Sequence, residues 1–430
     1  MKCNGIILSF FILVFISCSS GPVHPAGGPE TNAVKNSNFG IKNKTDSDSE
    51  TDTNINADLY TYISDKHETK IQADKPVVFT LTFTAVGDNL YHNSMLTSAL
   101  SNGVYDFTPN YTEIKSIITK SDIAFINQET PMAKSRQFAG YPVFNSPPVL
   151  AHTLVETGFN VFNLANNHAL DTGVAGLYET LDFLDTIKEI TVIGARRSGE
   201  SARIVTKNNI SLGFLAYTFG INGVQLPANN PNLVSLINRT KMKQEIENLR
   251  PLCDFLIVSM HWGEEYMLEP SKGQIDLAKF LAELDVDLII GHHPHVLQKA
   301  DTITLPNGKK TIVYYSLGNL ITHQLEWERL IGGMAVVTFT KEGTQSADGE
   351  ITWTGEKAIT DFGMIPLVTH IEKSFSKTKI YPLYAYTDEL LAVHSLRARA
   401  AGSVPMSFFY NVLKRMNTKI ILEDPFIENQ

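Results

Sequence analysis

Six apolar stretches, rich in β-branched and aromatic residues, each stop abruptly at a cluster of His, Asp, Glu or Asn. That coupling limits the fold more than any other feature of the chain. Phe79 to Val86 runs into Gly87-Asp88-Asn89-Leu90-Tyr91-His92, and Asp122 to Asn127 runs into Gln128-Glu129-Thr130-Pro131. Asn160 to Ala165 leads into Asn166-Asn167-His168-Ala169-Leu170-Asp171, and Asp254 to Met260 into His261-Trp262-Gly263-Glu264-Glu265-Tyr266. Val286 to Ile290 stops at Gly291-His292-His293-Pro294-His295, and Thr311 to Tyr315 at Ser316-Leu317-Gly318-Asn319. Short buried-type strands separated by helical patterns define an α/β fold. In such folds the carboxyl ends of the strands form the ligand crevice. The spacing therefore predicts one sheet edge crowded with metal-ligating side chains.

Between these stretches the helical patterns fall at Ile114–Ile118, Pro147–Glu156, Gly173–Ile187, Thr240–Leu249 and Lys272–Leu284, with strands also at Ile190–Ile193 and Met334–Phe339. Ile204 to Tyr217 reads as a hairpin turning at Asn208-Asn209, because paired asparagines tolerate the positive φ that tight hairpin turns need. An excess of strands toward the C-terminus predicts mixed sheets in two layers. Residues beyond 341 read as peripheral strands and helices, with a last helix near Pro405–Met416.

The N-terminus is of another kind. Lys2 precedes the apolar run Ile6–Ile16, which is too short to span a bilayer and ends at Cys18. Residues 1–18 thus read as a lipoprotein-type signal with Cys18 as the lipidation site. Two or three acyl chains on that cysteine suffice for stable anchoring. Residues 19–75 are rich in Ser, Asn, Thr, Asp and Gly and read as a disordered tether. With three cysteines in the chain, a four-cysteine zinc site is impossible, and a formal charge of -9 argues against a nucleic-acid partner.

Imidazole, carboxylate and amide oxygen together suit two divalent ions of the Mn, Fe or Zn kind. Asp171, three residues after His168, is placed to orient that ring.

The motifs GDNLYH, INQETP, NLANNHALDTGVAGLYETL, HWGEEY, GHHPHVLQ and YSLGNLI resemble those of the CapA-type, or poly-γ-glutamate capsule synthesis, family. That family is similar in turn to calcineurin-like metallophosphoesterases. The resemblance implies a four-layer αββα sandwich with mixed sheets over residues 76–383, followed by a helical extension at 384–430. It implies metal ligands at Asp88, Glu129, Asn167, His261, His293 and His295, with His92 as a further candidate. It makes His168 the general acid and Asp171 its partner, with Glu265, Tyr266 and Asn319 at the substrate. His292 reads as structural. The departures are a wider Asp88-to-His92 spacing than the usual Asp-x-His and a Glu at position 129 where an Asp is usual. The function implied is metal-assisted hydrolysis of a phosphoester or related bond in envelope polymer biosynthesis. The alternative is a non-catalytic, metal-containing accessory subunit that binds an anionic polymer. Either would sit in the cell envelope on the extracytoplasmic side, held by its lipid anchor and in contact with membrane subunits of a synthase or export complex.

Overall fold

The computed structural model describes residues 74–198, 202–372, 375, 377–398 and 402–426. The expected signal, Cys18 and nearly all of the tether lie outside the described residues. In chain order the first half comprises β1 (Lys75–Asn89), α1 (Asn93–Ala99), β2 (Leu100–Ser101), β3 (Val104–Tyr105), α2 (Thr108–Tyr111), α3 (Lys115–Lys120), β4 (Ile123–Gln128), α4 (Val149–Thr157), β5 (Val161–Asn163), α5 (Gly173–Leu184), β6 (Thr191–Ile193), β7 (Arg203–Lys207) and β8 (Ile210–Thr218). The second half comprises α6 (Arg239–Leu249), β9 (Phe255–His261), α7 (Lys272–Glu283), β10 (Leu288–His292), β11 (Leu297–Thr304), β12 (Lys310–Leu317), β13 (Asn319–Ile321), β14 (Ile331–Gln345), β15 (Ile351–Ile371), β16 (Thr378–Pro382), α8 (Asp388–Val393) and α9 (Met406–Leu413).

Two mixed sheets carry the fold. The larger has the order β16-β15-β14-β1-β4-β5-β6, with β13 beside the end of β1; the smaller has the order β11-β12-β10-β9-β8-β7. β1, β4, β5 and β6 run parallel, as do β12, β10, β9 and β8. Period-two alternation sends Ile123 and Phe125 of β4 into the core between the sheets and Ala124 and Ile126 to the outer face. Leu81 and Phe83 meet Phe214, Ile257 and Ile290 in that inter-sheet core. Outside the larger sheet, Met95, Leu150, Leu154, Leu177 and Leu181 from helices pack on Val86, Ile126 and Phe162. Outside the smaller sheet, Met242, Ile246, Leu277 and Leu281 pack on Leu256, Val258 and Ile289. The layers therefore run helix, sheet, sheet, helix, as the family resemblance implies.

The hairpin turns where expected, with Asn208 and Asn209 at φ 49° and 60°. The C-terminal part differs from its sequence reading. β14 pairs with β1 from Lys75 to Val86 and so lies inside the larger sheet, and β15 follows it as a 21-residue strand. Leu391, Leu396, Phe409, Leu413 and Met416 join the inter-sheet core. The cause is long-range pairing, which leaves little trace in local periodicity: much of β15 is solvent-exposed and polar.

β1 breaks register between Val86 and Asp88, and Gly87 permits it. A Cβ on Gly87 would stand 1.9 Å from the Gly318 carbonyl oxygen. This close approach lets Asp88 N donate to Gly318 O at 2.9 Å and joins the end of β1 to the loop between β12 and β13. The two sheets thus bring their carboxyl ends to one place.

Candidate metal centre

Asp88 is fully buried and caps no helix; α1 begins after His92, without a side-chain cap. Its Oδ1 accepts from Asn127 Nδ2 at 2.8 Å and lies 3.4 Å from His292 Nδ1, while its Oδ2 lies 3.0 Å from His295 Nδ1. Glu129, at the end of β4, is also fully buried. Its Oε1 is 3.6 Å from His261 Nε2 and 3.8 Å from His295 Nε2. Two triads of potential ligand atoms, each within 4.8 Å of one another, share His295: Asp88 and Glu129 complete one, Glu265 and His293 the other.

Burial opposes charge on both carboxyls, but their neighbours pull them apart. Contacts with His292 and His295 outweigh burial at Asp88 and hold its carboxyl well below the usual range. Burial, reinforced by the charges of Asp88, Glu265 and Asp171, pushes Glu129 well above it.

The backbone is strained at this point. His293 and His295 adopt φ of 95° and 56°, and Tyr266, whose N–H donates to Pro294 O at 2.8 Å, sits at φ 66°. Positive φ at three bulky residues clusters where side chains are aimed at a function.

Hydrogen bonding is incomplete in a patterned way. Neither Glu129 oxygen has a hydrogen-bond partner, nor has His261 Nδ1, His293 Nδ1 or either His292 nitrogen. Buried polar atoms left unpaired are costly and rare, and the two Glu129 oxygens, set among Asp88, His261 and His295, fit cation ligands. The donor set of imidazoles, carboxylates and an amide oxygen suits borderline divalent ions.

The other expected residues fall around this cluster. Asn167 Oδ1 lies 2.8 Å from His261 Nε2. His168 Nδ1 is 2.8 Å from Asp171 Oδ2, which also accepts from Phe144 N at 2.8 Å. The Phe144 ring meets His168 edge-on at 4.7 Å and His92 at 5.5 Å. His92 lies outside both triads, with Nε2 3.2 Å from Thr322 Oγ1; burial, with His295 and His168 near, lowers its pKa to about 4. Tyr266 is exposed, with the Arg329 guanidinium 3.6 Å from its ring centre. Its phenol is pushed up to about 12, first by desolvation and then by Glu265, so it stays a neutral donor near pH 7. Asn319 is fully buried: its Oδ1 faces His295 Nδ1 at 3.0 Å and its Nδ2 donates to Arg329 O at 2.9 Å.

Some contributors lie outside the expected ligand set. Asn127 bonds Asp88, His292 lies against it with its ring stacked on Phe125, and Phe219 and Asn222 come from the loop after β8. Asn127 could have been found, since it ends a strand whose neighbours carry ligands; the β8 loop offers no histidine or carboxylate to draw attention.

Two sheets between helical layers, with a buried His, Asp and Glu cluster at their common edge, define an αββα sandwich with a candidate metal centre. The model of the "Bacterial capsule synthesis protein PGA_cap" family matches residues 82–324. The chain belongs to that family. Capsule biosynthesis protein CapA of Bacillus anthracis is 35% identical over 184 residues, covering 40% of this chain and 42% of that protein. PGA biosynthesis protein CapA of Bacillus subtilis (strain 168) is 33% identical over 180 residues, covering 41% and 46%. The matched stretch thus spans less than half the length of either relative. The solved NAD nucleotidase of Haemophilus influenzae is 14% identical, with 79% of this chain and 60% of that chain covered and a TM-score of 0.37. The fold class rests on the two sheets themselves. No helix among the described residues is long and apolar enough to cross a membrane.

Proposed function

We propose that the protein works in the bacterial envelope, in the biosynthesis of capsule, poly-γ-glutamate or a related polymer, by hydrolysing a phosphoester or similar bond at a dinuclear divalent-metal site. A lipid on Cys18 would hold it on the extracytoplasmic side. The observation that carries this reading is Glu129: a carboxylate of zero exposure whose two oxygens accept no hydrogen bond, set among Asp88, His261 and His295.

Asp88, Glu129, Asn167, His261, His293 and His295 would hold the ions, with Glu265 at the rim. Divalent ions bound there would neutralise developing negative charge and acidify water toward neutral pH. His168 turns Nδ1 to Asp171, which leaves Nε2 as the nitrogen that would give a proton to the leaving group from the doubly protonated ring. Asp171 fixes the ring's direction. Phe144, packed edge-on against His168, shields that pair from water. Tyr266, under Arg329, offers a phenolic donor toward substrate.

With Mn²⁺, the full chain is expected to turn over p-nitrophenyl phosphate or its bis-ester, and His168→Ala to lose about 10²–10⁴-fold in kcat while keeping its metal. A metal-loaded chain without turnover of either ester, together with polymer production supported by His168→Ala, would remove the hydrolase reading. The accessory reading would then stand. It is favoured by one relative, a probable polyglutamine synthesis accessory protein of Mycobacterium tuberculosis, 26% identical over 199 residues, covering 41% of this chain and 50% of that protein.

A further inference from the structure

The loop after β8 bears none of the residues usually sought at a metal site, yet it closes on this one from the smaller sheet. Phe219 N donates to His261 O at 3.0 Å, and the Phe219 ring lies parallel to the His261 imidazole with centroids 6.3 Å apart. Thr218 Oγ1 donates to Gly220 O at 3.0 Å, and Ile221 is buried. Asn222 and Gly223 adopt φ of 48° and 76°, and Val224 N donates to Ile221 O at 3.0 Å. This is a tight turn with both central residues left-handed, for which Asn-Gly is the favoured pair.

The turn delivers the Asn222 amide to the gap between Asn167 and His168. Asn167 Nδ2 donates to Asn222 Oδ1 at 3.2 Å, and Asn222 Nδ2 lies 3.2 Å from His168 Nδ1. An amide has one oxygen and one nitrogen on opposite sides. For Asn167 to aim its oxygen at the cluster, where it lies 2.8 Å from His261 Nε2, its NH₂ needs an acceptor on the other side. Asn222 Oδ1 is that acceptor. Turning the Asn222 amide over would set two NH₂ groups against each other. Without the acceptor, nothing at this contact keeps the Asn167 nitrogen away from the cluster, and a protonated amide nitrogen cannot ligate a cation.

We propose that Asn222 is a positioning residue, which holds the Asn167 oxygen toward the metal cluster and spaces it from His168. This rests on the metal-site reading above. The competing explanation is that Asn222 serves only the turn, since asparagine tolerates left-handed backbone. Two substitutions separate these roles. Asn222→Gly keeps the turn and removes the acceptor; Asn222→Asp keeps both.

The test is a calorimetric titration of the full chain with Mn²⁺ for wild type and both variants. Asn222→Gly is expected to bind about tenfold more weakly, as losses of groups that orient a ligand do, with an unchanged metal-free melting temperature. Asn222→Asp should stay within about threefold of wild type, because its carboxylate still accepts from Asn167. Wild-type affinity in Asn222→Gly, or equal weakening in both variants, overturns the inference and leaves the metal site standing. If the wild-type chain binds no Mn²⁺, the metal-site reading falls and the role of Asn222 falls with it.

Discussion

Among the described residues, two groups of buried histidines are opposites. At the metal centre, His261, His292 and His293 leave ring nitrogens without partners, beside a carboxylate that has none. In the second group every ring has a partner. His370 Nδ1 meets Tyr386 OH at 3.0 Å, His394 Nε2 meets Thr369 O at 3.3 Å and its Nδ1 accepts from Leu396 N at 3.1 Å. His323 lies 2.6 Å from Ser94 Oγ and 2.7 Å from Thr378 Oγ1. Burial is common to both groups, so burial identifies neither. What separates them is satisfaction: one group completes its bonding within the chain, and the other is arranged for something from outside it. The second group completes the fold's own bonding, and the first makes up the candidate metal centre.

Substitutions should therefore act in opposite directions. His394→Ala removes two hydrogen bonds and opens a hole beside the Trp327 ring, 4.8 Å from the imidazole, so a loss of about 3 kcal/mol is expected in denaturant unfolding. Glu129→Gln relieves an unpaired buried carboxyl beside Asp88 and should raise metal-free stability by about 1 kcal/mol, while abolishing the stabilisation that Mn²⁺ gives wild type. A loss of metal-free stability in Glu129→Gln as large as that in His394→Ala would erase the contrast.

A smaller effect concerns pH. Burial lowers both His370 and His394 from 6.5 to about 4. Between those values the unfolded chain binds protons that the folded chain does not. Their contribution is thus fully present above pH 6.5 and is lost as pH falls toward 4. The melting temperature of wild type should drop by a few degrees over that interval on their account, and the drop should shrink in His370→Phe. An unchanged slope in that variant would place the acid sensitivity elsewhere.

The legible part of the site was its ingredients. Each ligand-bearing cluster directly follows an apolar run, and the strand rule gathers such ends at one edge; Asp88, Glu129, His261, His293 and His295 do meet there. The hairpin at Asn208-Asn209 was equally local and equally readable. The illegible parts depend on distance along the chain. β14 lies beside β1, some 250 residues earlier in sequence, and nothing in its periodicity selects that neighbour over another. Asn319 meets His295 only because the fold buries it there, a contact that its place in the sequence does not show. His292 reads as structural in sequence, and packing shows how: its ring is stacked on Phe125, with Nδ1 3.4 Å from Asp88 Oδ1. Asn222 becomes notable only when Asn167 needs an acceptor.

The most direct test is metal stoichiometry. The full chain, loaded with Mn²⁺, dialysed and analysed by plasma mass spectrometry, should retain about two ions per chain, as paired carboxylate–imidazole sites do. His293→Ala with His295→Ala should lose at least one of them, because the two triads share His295. Wild-type ion content in that double variant, or none in wild type, would contradict the account.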